Sequence, residues 1–115
     1  MLALLFKKMG LNFTCYTAVL DHPDFKEPED LLFAKKVAEE LGLELKVAKI
    51  KLKDIEKHLK IIIPLIEDYN VVKVGVALTF YAACELAKKD GCKVIFSGLG
   101  SEEIFAGYEL CLIHI

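Results

Sequence analysis

Arginine, tryptophan and glutamine are absent from the chain, and the first absence narrows its chemistry most. Without arginine there is no planar fork to clamp a phosphate or carboxylate bidentately. An anion has to be met by lysine, by a divalent cation such as Mg2+ or by backbone N–H groups. All 15 basic residues are lysine, and against 17 acidic residues they leave a net charge of −2, which argues against a basic nucleic-acid binder. No uncharged apolar run reaches the ~18 residues that a membrane-spanning helix needs. The four cysteines, Cys15, Cys84, Cys92 and Cys111, form no Cys-x-x-Cys pair, and His22, His58 and His114 are scattered, so no zinc spacing exists. The thiols read as those of a protein in the reducing cytoplasm. Lys7 and Lys8 follow the apolar opening Met1–Phe6 instead of preceding it, so a secretory leader is not expected.

What is present is 115 residues, 55% hydrophobic and 28% charged, enough apolar material to give one domain over 1–115 a folded core. Residues 1–9 read as the end of a helix, with Leu2, Leu5 and Phe6 on one face and Gly10 as its stop. Residues 12–20 are rich in β-branched and aromatic types and predict a strand; Asp21 to Glu27 predict a loop. Pro28 opens a predicted helix to Leu41 whose buried stripe is Leu31, Ala34, Val37, Ala38 and Leu41, with Gly42 ending it. Leu43 to Ile50 alternates like a half-exposed strand. Residues 53–67 predict a helix that Pro64 kinks or ends, and 74–89 another, with Val71–Val76 open between helix and strand. Cys92–Phe96 predicts a further short strand, Ser97–Gly100 a turn, and Ser101 the start of a helix. Strands alternating with helices predict an α/β fold: a mainly parallel sheet with helices on both faces.

Residues 97–108 read Ser-Gly-Leu-Gly-Ser-Glu-Glu-Ile-Phe-Ala-Gly-Tyr and hold three of the seven glycines and both serines of the chain. In an open α/β sheet, a loop that leaves an apolar strand and enters a helix is where ligands bind. Gly98 and Gly100 let backbone approach a ligand and present N–H groups to an anion, Ser97 offers a hydroxyl, and Ser101 can cap the helix. Glu102 and Glu103 would repel a phosphate unless a divalent cation lies between, so the pattern suits a phosphate–Mg2+ site. The same residues also make an ordinary glycine turn, a serine cap and two acids on the positive end of a helix.

The twelve residues resemble the second signature of the synthetase domain of asparagine synthetases, matching it at Ser97, Gly98, Gly100, Ser101, Glu102, Glu103, Ile104, Phe105, Gly107 and Tyr108. Leu99 and Ala106 depart from it. The resemblance implies a Rossmann-like ATP-pyrophosphatase domain of the adenine nucleotide alpha hydrolase type. Such a domain activates a small-molecule carboxylate with ATP and lets an amine displace AMP. It further implies that nucleotide meets the backbone at Val19 and Leu20 and the loop Ser97, Gly98 and Gly100. Glu102, and less directly Glu103, would hold Mg2+.

Two departures qualify that implication. The family carries an acid where Leu99 stands, and leucine neither ionises nor accepts a hydrogen bond. The family's pyrophosphate loop, Ser-Gly-Gly-x-Asp-Ser, does not occur, nor does a glutaminase domain with its terminal cysteine. The chain is therefore expected to be a domain truncated at both ends, short of full activity alone and dependent on a partner chain for the missing loop. The alternatives are a non-catalytic nucleotide-binding or partner-binding module and a degenerate gene fragment.

Overall fold

The computed structural model describes residues 2–24 and 26–100. The expected helix from Ser101 lies outside the described residues. In chain order the elements are α1 (Leu2–Lys8), β1 (Cys15–Asp21), α2 (Glu29–Leu41), β2 (Leu45–Lys51), α3 (Leu52–Ile66) and α4 (Val71–Lys89).

Local chemistry sets most of these boundaries. The carbonyl of Pro28 accepts from the N–H groups of Leu31 and Leu32 at 3.0 and 3.2 Å and so starts α2. Gly42 ends it in the left-handed region at φ 60°, a conformation that costs glycine nothing, with its N–H turned back on the last carbonyls of the helix. The buried and half-buried residues of α2 are Leu31, Ala34, Val37, Ala38 and Leu41, the stripe read from the sequence. The open question over Val71–Val76 resolves as helix because Asn70 caps α4. Its Oδ1 accepts from the N–H of Val72 at 3.0 Å and of Lys73 at 3.3 Å. Pro64 was expected to kink or end its helix, yet it lies inside α3. It stands two residues before the end at Ile66, so the i→i−4 bond that its missing N–H gives up is among the last of the helix.

β1 and β2 pair in parallel, from Cys15 opposite Leu45 to Asp21 opposite Lys51. Helices cover both faces. Tyr16 and Lys46 point toward α4, where both meet Asp90 just beyond its end. Cys15, Thr17 and Leu45 sit opposite Phe33, Val37 and Ala38 of α2 across a concavity of about 380 Å3. Lys7 of α1 ties to the carbonyl of Leu41 at the end of α2. α3 packs on α4, with Ile62 the most deeply buried large side chain. His58 of α3 stacks against Tyr81 at 5.5 Å and lies 3.9 Å from Glu85.

The strand expected at Cys92–Phe96 is absent: these residues are exposed and belong to no strand. Strand composition does not suffice without a neighbouring backbone to pair with, and the described sheet has only two strands. No described helix is long and apolar enough to cross a membrane.

A polar latch joins the sheet to the end of α4. Asp90 accepts from Lys46 Nζ at 2.8 Å and from the Tyr16 hydroxyl at 2.9 Å, and that hydroxyl lies 3.4 Å from Cys92 Sγ. Lys46 first, then Tyr16, holds the Asp90 carboxyl below its ordinary range. The hydrogen bond to Asp90 raises Lys46, and the contact with Cys92, burial and Asp90 raise Tyr16. Because the folded Asp90 titrates low, its stabilisation is complete above pH ~4 and is lost as pH falls through the folded value. Lys46 and Tyr16 titrate high when folded, so their share persists at neutral pH and disappears only beyond pH ~10. Asp90→Asn is expected to lower the unfolding temperature at pH 7. The wild-type and variant curves should converge as the pH falls below ~4 in thermal melts. A constant gap over that range would remove Asp90 from the account.

Candidate functional site

Two groups of residues carry the expected site, and the fold places them differently. Val19 and Leu20 stand at the carboxyl end of β1, half-buried. The Cys15 N–H donates to the Glu44 carbonyl at 2.8 Å, which fixes the parity of the ladder. The backbone of residues 15, 17, 19 and 21 faces β2, and that of 16, 18 and 20 faces the outer edge. Val19 therefore spends its N–H and C=O on the sheet. Leu20 presents both groups outward and is the better placed to meet a ligand by backbone.

The second group is the glycine loop. The Ser97 hydroxyl accepts from the Leu99 N–H at 3.1 Å, a local bond that shapes the turn. Gly100 adopts φ +92°, left-handed backbone that disfavours any side chain. A Cβ at Gly98 or Gly100 would meet no atom within 4 Å, so the loop is open toward solvent on that side. Glycine backbone that is open, beside a serine hydroxyl, fits an anion such as a nucleotide phosphate. Leu99 is 60% exposed and brings no acceptor. Ser101, Glu102 and Glu103 lie outside the described residues. Among the described residues no cluster of three or more His, Cys, Asp or Glu forms that could hold a metal ion.

The root of the loop is anchored by aromatic contacts. The Phe96 ring meets Phe6 edge-on at 5.1 Å, and Phe6 meets Phe13 in the same way at 5.5 Å. Phe13 precedes the starting end of β1, whereas Val19 and Leu20 lie at its far end, roughly 20 Å on at strand rise. The structure thus roots the two halves of the expected site at opposite ends of β1.

Two features escaped sequence reasoning. One is the turn after β1, where the Asp24 N–H donates to His22 Nδ1 at 3.2 Å. The sequence signal for it is His-Pro-Asp directly after a strand. The other is the concavity under α2. Its walls are mostly apolar, with Asp30 and the Cys15 thiol, which burial pushes up, among the lining residues.

A two-stranded parallel sheet covered by helices, with a glycine loop beyond the last described helix, defines the class: a partial α/β domain. The family model for asparagine synthase matches residues 1–113. A protein of Methanocaldococcus jannaschii assigned as a glutamine-hydrolysing asparagine synthetase is 36% identical over 80 residues, covering 70% of this chain. The chain belongs to the asparagine synthase family. The matched stretch spans about 15% of that relative's length. No solved structure matches the chain.

The two glycines make different demands, and a variant pair separates them. Gly100→Ala is expected to cost about 1 kcal/mol locally, from positive φ alone. It should shift the backbone resonances of residues 97–100. Gly98→Ala, in open space without positive φ, should shift only Gly98's own resonances and those of its immediate neighbours and leave Gly100 in place. Equal shifts in the two variants would contradict the described turn.

Proposed function

We propose that the chain contributes the nucleotide-facing portion of an ATP-dependent domain that activates a small-molecule carboxylate and amidates it, in the manner of asparagine synthetases. The observation that carries this reading is the signature Ser97–Tyr108 inside a family match over nearly the whole chain. In this reading the outward backbone groups of Leu20, beside Val19, meet the adenine, and the loop Ser97, Gly98 and Gly100 meets the phosphates once it is brought to the carboxyl end of β1 from the opposite end, where Phe96 is rooted in this structure. Ser97 holds that loop in shape through its bond from the Leu99 N–H. Glu102, and with it Glu103, holds Mg2+, which when bound neutralises phosphate charge and substitutes for the arginine the chain lacks. A partner segment supplies the pyrophosphate loop, and the setting is cytoplasmic.

Leu99 favours a second reading, that of a nucleotide-binding module without amide formation. An exposed leucine cannot perform the acid–base or hydrogen-bonding work of the carboxylate the family carries there.

Calorimetric titration of the full chain with ATP, with and without Mg2+, tests the proposal. The expected result is Mg2+-dependent binding that Glu102→Ala weakens by about tenfold or more, the loss of roughly 1.4 kcal/mol. Binding that ignores both Mg2+ and the substitution, or no binding at all, would overturn it. Pyrophosphate release in the presence of candidate carboxylates separates the catalytic reading from the second.

A further inference from the structure

The glycine loop follows a segment that is held twice, and both holds belong to the starting end of β1. At the near end of the segment, Cys92 Sγ lies 3.4 Å from the hydroxyl of Tyr16, the second residue of the strand. At its far end, the Phe96 ring meets Phe6 edge-on at 5.1 Å, and Phe6 meets Phe13, just ahead of β1, at 5.5 Å. Extended alongside β1, the steps from Cys92 to Phe96 would carry the ring about 13 Å toward Leu20. The aromatic contacts keep it with Phe6 and Phe13 instead.

The loop does not make up the distance. Ser97 to Gly100 spans about 14 Å at full stretch, against roughly 20 Å of strand between Phe13 and Leu20. Nor is the loop stretched: the Ser97 hydroxyl accepts from the Leu99 N–H at 3.1 Å, and Gly100 turns at φ +92°. The hold at its root is shallow. Phe96 keeps 67% of its surface exposed with its ring on Phe6, and Cys92 is exposed as well. Stabilisation by apolar contact scales with the area taken from water, so a contact this open is released at small cost.

From this geometry we infer that the Phe6–Phe96 contact is an autoinhibitory clasp, which parks the glycine loop at the starting end of β1 and opens when Mg2+–ATP binds. The inference rests on the functional reading above, since the clasp regulates the site assigned there. Only molecules with the clasp open can bring the loop and Leu20 to one nucleotide, so the apparent affinity is reduced by the open fraction. Weakening the clasp therefore raises affinity. Loss of a ligand contact, or damage to the fold, lowers it.

The test uses the full 115-residue chain and two variants that open the clasp from opposite sides. Phe96→Ala removes the ring on the segment. Phe6→Leu removes the ring on α1 and keeps an apolar side chain toward Phe13. Slow exchange of the Cys15 N–H, which donates to the Glu44 carbonyl at 2.8 Å, reports that β1 stays on β2 in each. In calorimetric titration both variants should bind Mg2+–ATP at least about threefold more tightly than the wild type. In the wild-type chain, the nuclear Overhauser contact between the Phe6 and Phe96 rings should be present without nucleotide and lost at saturating Mg2+–ATP.

Variants that bind no more tightly than the wild type would overturn the clasp and leave the functional reading standing. So would a ring contact that survives saturation, or one missing from the free chain. Absence of binding in the wild type and both variants would overturn the functional reading, and the clasp with it.

Discussion

Seven register pairs between β1 and β2, from Cys15 with Leu45 to Asp21 with Lys51, are what the other elements arrange themselves around. The parallel direction of the pair requires a covering connection, which α2 provides. The alternation of side chains sends Tyr16 and Lys46 to the α4 side and Cys15, Thr17 and Leu45 to the α2 side. The same alternation decides which backbone groups remain outside the ladder. A two-stranded sheet has little cohesion of its own, so the helix packing on α4 carries much of the fold, and the solvent-facing latch at Asp90 adds a small share.

Burial tells the same story from the side chains. Among the described residues six apolar side chains are buried, Leu31, Ala38, Ile50, Ile62, Ala82 and Ala87. Large apolar residues stand exposed at many points of the described chain, among them Leu4, Leu5, Met9 and Leu11 along α1 and the turn after it, Leu32 and Phe33 on α2, Leu65, Tyr69, Val71 and Val72 at the α3–α4 junction, and Val94–Phe96. Every strand position except Ile50 is at most half-buried, where an interior strand of an α/β sheet would be enclosed. Exposed apolar patches of this kind mark surfaces suited to contact with another chain, a membrane or a ligand. They agree with a chain matched to a small share of its relative's length.

What the sequence made legible was whatever a short window controls. The stripe of α2 and its stop at Gly42 follow from helical spacing and from glycine's freedom at positive φ. The two paired strands follow from β-branched composition and alternation. The glycine loop was legible as a turn, and its family signature as a signature, because both are local strings. The strand expected at Cys92–Phe96 failed because pairing depends on a partner backbone that composition does not report. The latch was illegible for a related reason: Tyr16, Lys46 and Asp90 are far apart in sequence and meet only once α4 packs on the sheet. Pro64 shows the limit of a local rule, since the helix runs two residues past it before ending at Ile66.

The central claim is that β1 is hydrogen-bonded along one edge only, the edge facing β2, among the described residues. Residue-resolved amide exchange of the free chain examines it most directly. The account predicts alternation along β1, with Thr17, Val19 and Asp21 protected and Tyr16, Ala18 and Leu20 exchanging rapidly between them. Uniform protection along the strand would mean that its outer edge is already paired, and would contradict the account.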